Sequence, residues 1–307
     1  MYDFYPEGLL LNTTANRRRT ENVAALMEAA AEGAVLEARA VLCDNEHNLY
    51  VEFPCMTGII PREEGALGIA DGTTRDIALI SRVSKPVSFV IIGFEHTPDG
   101  GKRAICSRRA AQQRCYDEYL MRCRPGDVIA ARVSRLESFG AFCDVGCGIP
   151  ALLPIASISV SRIAHPSDRL FVGMDIHCVI SSVEGNRICL SQRELLGTWE
   201  ENAALFTQGE TVAGIVRSVE DYGVFIELTP NLAVLAEPRD GVKVGQYAGV
   251  YIKNILAEKM KLKLVLIDAQ DTAELPPPLK YFITEGHIER WRYSPTGCRK
   301  VIETVFD

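Results

Sequence analysis

The chain of 307 residues lacks any apolar run that approaches about 20 residues, the length that a membrane-spanning helix requires. Its start, Met1-Tyr-Asp-Phe-Tyr-Pro-Glu-Gly8, also lacks the basic segment followed by an apolar core that marks a secretory signal. These two absences predict a protein with no membrane partner and no export by that route.

The ten cysteines lack the spacing of a metal site. No Cys-x-x-Cys pair occurs, and the closest two, Cys143 and Cys147, have no second pair at ligand spacing. Cys106, Cys178 and Cys189 instead lie inside apolar runs that are typical of strands. Because structural disulfides belong to oxidising compartments, we predict reduced thiols that fill a core, no bound metal, and a cytoplasmic location.

The parts of a catalytic centre are missing as well. The five histidines are scattered along the chain, and the acidic residues form no cluster with the spacing of a two-metal site. No glycine-rich loop ends in the Lys-Ser/Thr pair that holds nucleotide phosphates. The sequence therefore predicts no catalytic residues, no cofactor and no small-molecule substrate.

Positive charge is in deficit, since the formal net charge is −7 at pH 7. Nucleic-acid phosphates require local cations, so this balance disfavours tight, sequence-blind binding of duplex DNA. Cations clustered on one face can outweigh the total, which leaves other kinds of nucleic-acid binding open.

What the chain does contain is a repeat. Gly126–Phe142 and Gly209–Phe225, which lie 83 residues apart, share glycine, valine, aromatic, glycine and phenylalanine at the same offsets. A repeat of this kind indicates one supersecondary unit used more than once. Each copy predicts a strand, an aromatic-Gly-x-Phe turn and a second strand.

A degenerate copy precedes these two. Gly58-Ile-Ile-Pro61 matches Ala151-Leu-Leu-Pro154, and Arg103-Ala-Ile-Cys-Ser107 matches Arg187-Ile-Cys-Leu-Ser191. Polar Asn45-Glu-His-Asn48 replaces the aromatic-Gly-x-Phe turn. We interpret this first repeat as a protein-docking surface.

The N-terminal segment predicts an extended arm and one helix. Thr20 is the predicted N-cap and Gly33 the predicted end. Arg17-Arg18-Arg19 are interpreted either as a solvated turn or as a phosphate contact. The predicted apolar stripe consists of Val23, Leu26, Met27 and Ala30.

The C-terminal tail follows Pro276-Pro-Pro278. It predicts strands at Tyr281–Thr284 and Ile288–Tyr293, a turn at Ser294–Gly297, and a last helix or strand over 298–306. The sequence predicts no function for it.

These features give a mainly β fold of tandem five-stranded OB-fold barrels joined by short helices, with an N-terminal helix and a small C-terminal α/β tail. The strands of the middle repeat are predicted at 127–136, 141–146, 150–153, 174–183 and 187–191. The predicted domains are an N-terminal arm and helix (1–32), a degenerate repeat (33–109), a linker helix (110–124), the middle repeat (125–193), a second linker helix (194–207), a shortened third repeat (208–270) and the tail (271–307).

Five elements of the middle repeat together resemble the S-one (S1) RNA-binding domain, the module of the ribosomal protein S-one family of the bacterial small ribosomal subunit. They are the Gly-x-Val opening, the aromatic-Gly-x-Phe turn, the Leu-Leu-Pro end of the third strand, the Val-Gly start of the fourth, and the final Arg-Ile-x-Leu-Ser. The third repeat carries most of them, and the first is a remnant.

The resemblance implies a binding face for single-stranded RNA, on which aromatic rings stack with bases and cations hold phosphates. In the middle repeat the implied residues are Phe139, Phe142 and Arg187, with Arg162 and Arg135 as looser candidates. In the third repeat they are Tyr222, Phe225 and Lys261. Phe142 and Phe225 are open to a second interpretation, as ordinary barrel core.

The third repeat departs from the middle one in two ways. Glu237 stands where the middle repeat has Pro154 and where family members often have a histidine, which puts an anion near the expected RNA backbone. The connection after the third strand is 11 residues shorter, since 19 positions separate Leu153 from Val172 and 8 separate Ala236 from Val244. We therefore expect the middle repeat to be the RNA-binding one.

The implied function is that of a single-stranded RNA (mRNA) binding protein of the translation apparatus, with the first repeat and the tail docked to the small ribosomal subunit or a partner. One alternative is an OB-fold protein-protein adaptor with little RNA affinity, which the acidic total and Glu237 favour. Another is an RNA-processing enzyme or its accessory subunit, for which the chain offers little.

Overall fold

A computed structural model describes residues 4–98, 100–185, 187–271 and 278–306. Within these ranges no helix is long and apolar enough to cross a membrane. The chain divides into two compact units. One comprises Met1–Cys123, Ala130–Arg132 and Asp144–Pro150, and the other comprises Arg124–Ile129, Val133–Cys143 and Ala151–Asp307.

Two helices lie near the N-terminus, α1 (Thr14–Thr20) and α2 (Val23–Glu32). The predicted cap at Thr20 is wrong. Asn22 caps α2 instead, because its side-chain oxygen accepts a hydrogen bond from the amide of Ala25 at 2.9 Å. Gly33 ends α2 in the left-handed region, with φ of 62°, as predicted.

Two further N-terminal predictions need correction. The arginine triplet Arg17–Arg19 is helical and forms the last turn of α1, so it is not a turn before a helix. The predicted stripe on α2 is rotated, because Leu26 and Ala29 are buried whereas Val23 and Met27 are exposed.

The first barrel closes five strands in the order β1-β2-β3-β5-β4. Leu49 and Val51 on β2 point into its core and are fully buried, while Tyr50 between them is partly exposed. Helix α3 (Ile77–Ile80) lies in the connection after β3. The strands are β1 (Leu36–Cys43), β2 (Leu49–Glu52), β3 (Thr57–Ile60), β4 (Pro86–His96) and β5 (Lys102–Ser107).

The first predicted linker helix is α4 (Arg108–Glu118), which ends before a short 3-10 turn at Leu120–Arg122. The second is shorter than expected, with a 3-10 turn at Arg193–Leu196 and then α6 (Trp199–Ala203). A further short helix, α5 (Ile155–Ile158), follows the third strand of the middle barrel.

The middle barrel has the order β10-β8-β7-β6-β9, and each observed strand end lies within two residues of its prediction. The third barrel has the order β11-β12-β13-β15-β14. The predicted mainly β fold with tandem five-stranded barrels is therefore confirmed. The strands are β6 (Val128–Glu137), β7 (Gly140–Asp144), β8 (Pro150–Pro154), β9 (Asp175–Glu184) and β10 (Arg187–Ser191), then β11 (Thr211–Glu220), β12 (Gly223–Thr229), β13 (Leu232–Ala236), β14 (Tyr247–Leu256) and β15 (Lys261–Gln270).

The C-terminal tail forms a two-stranded sheet of β16 (Arg290–Arg292) and β17 (Glu303–Val305). No strand forms at 281–284, and residues 278–306 contain no helix, so the α part of the predicted α/β tail is wrong. Trp291 and Tyr293 are buried in a hydrophobic core cluster that also contains the inward residues of the third barrel. The hydroxyl of Tyr293 donates to the backbone oxygen of Asn231, so the tail is part of this core.

A buried ionic cluster joins the connection after β8 to the third barrel. Arg169 donates two hydrogen bonds to the carboxylate of Glu227, at 2.7 and 2.6 Å, and Arg217 donates two more, at 2.9 and 3.0 Å. Burial opposes the charge on Glu227, but the hydrogen bonds and charges of the two arginines outweigh it and lower the pKa of that carboxyl.

Replacing Glu227 by glutamine should lower the free energy of unfolding by about 3 kcal/mol, because two guanidinium groups would then be buried beside a neutral partner. Urea unfolding of the full chain measures this change. The matched control is Glu303→Gln, whose ion pair with Arg290 is largely exposed and should change stability by less than about 1 kcal/mol. Equal stability of the two variants would contradict the assignment.

A second buried cluster holds the N-terminal arm within the first unit. Asp144 accepts hydrogen bonds from the amides of Glu7, Gly146 and Gly148 at 2.7, 2.8 and 3.0 Å. The side chain of Glu7 is ion-paired with Arg108 at 2.7 Å. Burial, and then the charge of Glu7, raise the pKa of Asp144 to about 7.

An acid whose pKa is higher in the folded than in the unfolded state stabilises the fold most at pH values where it is protonated in both of these states. The contribution of Asp144 should therefore be fully present below about pH 4 and be lost as the pH rises through 7. Thermal unfolding of the full chain between pH 4 and 8 should show this slope, and Asp144→Asn should flatten it because asparagine does not ionise. Parallel curves for the two proteins would show that Asp144 does not titrate in this range.

Candidate nucleic-acid interface

Two aromatic rings stand together on the outer surface of the middle barrel. Phe139 lies in the turn between β6 and β7, and Phe142 lies on β7. Because Ala141 and Cys143 point inward and are fully buried, the pleat of the strand turns Phe142 outward, and its ring is partly exposed. The ring of Phe139 is 54% exposed. The interpretation of Phe142 as barrel core is therefore wrong.

The two rings are perpendicular to each other. Their centroids are 6.1 Å apart and their planes meet at 90°, so one ring presents its edge to the face of the other. This arrangement fixes both rings while leaving apolar surface open to solvent, which is the property that a stacking surface for bases requires.

Gly140 lies between the two rings for a reason other than a turn. A Cβ at this position would clash with the backbone oxygen of Leu153 and lie 3.0 Å from the Cα of Pro154. The glycine thus permits close approach of β7 to the end of β8, where the amide of Ile155 donates to the oxygen of Phe139 at 2.9 Å. The turn of the aromatic-Gly-x-Phe segment thus lies at Ser138 and Phe139, and Gly140 already belongs to β7.

One predicted arginine joins the aromatic pair directly. The guanidinium carbon of Arg135 lies 5.1 Å from the ring centroid of Phe142, which is within cation–π range. Its Nε is 2.8 Å from the carboxylate of Glu137, two residues along the same strand. The sequence analysis did not predict a role for Glu137. Residues two apart on a strand share a face, so the spacing of Arg135 and Glu137 could have indicated this ion pair.

Arg162 and Arg187 are both exposed. Arg187 begins β10 and pairs in register with Glu184 on β9, while Arg162 lies in the connection after α5. In the described part of the chain, neither arginine makes a cation–π contact with Phe139 or Phe142. The structure thus brings together Phe139, Phe142 and Arg135 and leaves the other two at the surface.

The third barrel repeats the aromatic geometry without the arginine. The rings of Tyr222 and Phe225 are 6.3 Å apart at 89°, and Tyr222 is 63% exposed. Ser218 occupies the repeat position of Arg135, and the neighbouring Arg217 is held by Glu227. Lys261 is exposed at the start of β15.

Glu237 is also exposed, directly after β13, which ends at Ala236. A carboxylate at this position repels phosphates, so the third face has less favourable charge than the middle face.

No groups of three or more histidine, cysteine, aspartate or glutamate side chains that could hold a metal ion lie among the described residues. The cysteines in these ranges are in the reduced form, and most of them are buried.

The closed barrels and their outward aromatic pairs define a protein of tandem OB folds. Residues 122–192, which contain the middle barrel, match the model of the S1 RNA binding domain. The chain is 28% identical over 207 residues to the small ribosomal subunit protein bS1 of Staphylococcus aureus (strain COL), a match that covers 61% of this chain and 53% of that protein. It is 30% identical over 179 residues to the bS1 protein of Leuconostoc lactis, with 56% and 40% covered.

The family model thus places an S1 RNA binding domain at residues 122–192, and the matches confirm the resemblance seen in the sequence. The matched segments span about half the length of these relatives. At the level of the domain family, the match over residues 122–192 supports RNA binding.

Similarity to solved structures is low. A multidomain protein with nucleic acid binding domains from Streptococcus pneumoniae TIGR4 aligns over 77% of this chain and 74% of its own, at 13% identity and a TM-score of 0.27. The a/eIF2alpha-aDim2p-rRNA complex of Pyrococcus horikoshii OT3 aligns over 26% of this chain and 49% of that one, at 24% identity and a TM-score of 0.23.

Replacing Gly140 by alanine should cost about 1–3 kcal/mol of stability, because the new Cβ forces β7 away from the end of β8. Urea unfolding measures the loss. The matched control is Gly93→Ala on β4, where the nearest atom to a new Cβ is Ile105 Cδ1 at 3.9 Å. If the two alanine variants are equally stable, close approach is not the reason for glycine at this position.

Proposed function

We propose that the middle barrel binds single-stranded RNA through Phe139, Phe142 and Arg135, and that the protein binds messenger RNA in the translation apparatus. The observation that carries the proposal is the exposed perpendicular ring pair with its arginine, on the barrel that matches the S1 RNA binding domain. The names of the relatives, small ribosomal subunit proteins, support the setting in translation and the small subunit as partner.

The ring geometry favours a single strand over a duplex. Bases that stack on two perpendicular rings must themselves be turned relative to each other. The parallel stack of a duplex prevents such a turn, whereas unpaired nucleotides rotate about their backbone bonds. Each stacked base contributes ~1–3 kcal/mol with little dependence on its identity, so weak sequence preference is expected.

Arg135 supplies the local cation that the net charge of −7 does not. Its ion pair with Glu137 is exposed at both ends, 65% and 37%, so water and salt already weaken it. A phosphate oxygen can replace the carboxylate at small cost, and the guanidinium then remains above Phe142 while it holds the RNA backbone. Arg162 and Arg187, both exposed, are further phosphate contacts in this proposal.

The third barrel has a smaller role in the proposal. Tyr222 and Phe225 offer stacking surface and Lys261 offers a cation, but Ser218 leaves the ring of Phe225 without the arginine that covers Phe142. Glu237 adds repulsion of phosphates. The third barrel therefore extends the contact made by the middle one and does not replace it.

Phe139→Leu and Phe142→Leu should each weaken binding of single-stranded RNA roughly tenfold, because leucine keeps the apolar volume and removes the stacking ring. Fluorescence anisotropy with a labelled single-stranded oligonucleotide and the full chain measures the affinity. The matched control is Tyr251→Leu, an exposed tyrosine on β14 outside both ring pairs, which should leave affinity unchanged.

A salt series on the same proteins separates RNA binding from an adaptor role. The logarithm of affinity should fall with the logarithm of salt concentration, and Arg135→Gln should reduce that slope by about 0.7, the value of one phosphate contact on a single strand. Weak binding that is independent of salt, together with no loss in either leucine variant, would contradict the proposal.

A further inference from the structure

The first barrel lacks the aromatic-Gly-x-Phe turn, yet its single tyrosine, Tyr50, occupies the position of the phenylalanine of that turn. In the third barrel, Phe225 pairs in register with Leu235 on the neighbouring strand. In the first barrel, Tyr50 on β2 pairs in the same way with Ile59 on β3. The segments Gly58–Pro61 and Val234–Glu237 match each other in the repeat. Ile59 and Leu235 are the second residues of these segments, so they occupy equivalent positions.

The parallel strand pairs confirm this equivalence. Ile59 pairs with Ile105 on β5, just as Leu152 of the middle barrel pairs with Cys189 on β10. Ile105 and Cys189 each stand two residues after an arginine, Arg103 in the first barrel and Arg187 in the middle one. Tyr50 and Arg103 therefore lie on the outer face that carries the ring pairs in the other barrels.

Burial supports the same placement. Leu49 and Val51 are fully buried and Tyr50 between them is partly exposed, as Phe225 is between the fully buried Val224 and Ile226. The ring of Tyr50 therefore lies on the outside of the barrel, where it can meet a ligand.

Tyr50 and Arg103 are held as a unit. The guanidinium carbon of Arg103 lies 5.7 Å from the ring centroid of Tyr50. Arg103 donates to Glu95 on β4 at 2.8 and 2.6 Å, and the hydroxyl of Tyr50 donates to Asp44 at 3.1 Å. Both planar groups are thus fixed before any ligand arrives, which reduces the ordering cost of binding.

We infer that Tyr50 and Arg103 form a second stacking site, which takes one unpaired nucleobase of an RNA strand. Unstacked bases of single-stranded RNA stack on aromatic rings and on the guanidinium planes of arginines.

The charges around the site decide which part of the RNA it contacts. Glu95 neutralises Arg103, and Asp44 lies beside Tyr50, so the site has little positive charge left for phosphates. The site formed by Tyr50 and Arg103 therefore contacts the flat face of the base and not the phosphates. The RNA affinity of this site should depend on salt less steeply than the affinity of the middle barrel.

The test uses the full chain with Phe139→Leu and Phe142→Leu already in place, so that stacking on the middle ring pair is removed. The probe is a fluorescein-labelled single-stranded oligoadenylate of about ten nucleotides, a length within the site sizes typical of OB folds. Adding Tyr50→Leu should weaken the remaining affinity by roughly tenfold, whereas Tyr50→Phe, which keeps the ring, should stay within about twofold. Tyr251→Leu is the matched control and should have no effect.

Photocrosslinking tests the same site without relying on the affinity that remains in the Phe139 and Phe142 variants. A 4-thiouridine oligonucleotide irradiated with the wild-type chain should attach within Leu49–Glu52 as well as at the middle barrel. Failure to crosslink there, or equal affinity of Tyr50→Leu and Tyr251→Leu, overturns the inference and leaves the first barrel as a protein-docking surface.

The two proposals fail separately. If the Phe139 and Phe142 variants bind like wild type while Tyr50→Leu does not, the proposed function of the middle barrel is wrong and the site on the first barrel stands. If only the phenylalanine variants lose affinity, the proposed function stands and the site on the first barrel is wrong.

Discussion

The pleat of a strand in a small closed barrel is the constraint on which the rest of this structure depends. Five strands enclose a core wide enough only for their inward side chains, so every second residue must face outward. Ala141 and Cys143 fill the middle core, Val224 and Ile226 the third, and Leu49 and Val51 the first. Their shared neighbours, Phe142, Phe225 and Tyr50, are placed on the outer face as a direct consequence.

The outer faces differ because the residues around the ring differ. Arg135 covers Phe142 in the middle barrel, Ser218 leaves Phe225 bare in the third, and Arg103 covers Tyr50 from another strand in the first. One scaffold thus offers three surfaces of different charge. Gly140 and Gly223 contribute by allowing the strand that bears the ring to lie close against the next, since a Cβ at either would meet a backbone oxygen.

Polar groups buried between elements give the second unit its internal order. Glu227 on β12 forms ion pairs with Arg169, which lies in the connection after β8, and with Arg217 on β11. Asn231 accepts from the amide of Val160 at 2.9 Å and donates to the backbone oxygens of Arg193 and Gly197 at 2.8 Å each. Buried polar groups are costly without partners, so these contacts specify one arrangement of the connection, the third barrel and the tail.

The sequence by itself determined the repeat, the barrel strands and the aromatic positions, because alternation and glycine spacing are local properties of the chain. It misplaced the cap of α2, since Asn22 and Thr20 are both good N-caps and only the fold selects between them. It could not show that Phe142 faces solvent, that Arg135 lies above it, or that Tyr50 shares its register. Those facts join residues on different strands, and only the closed tertiary structure, which fixes strand register, decided them.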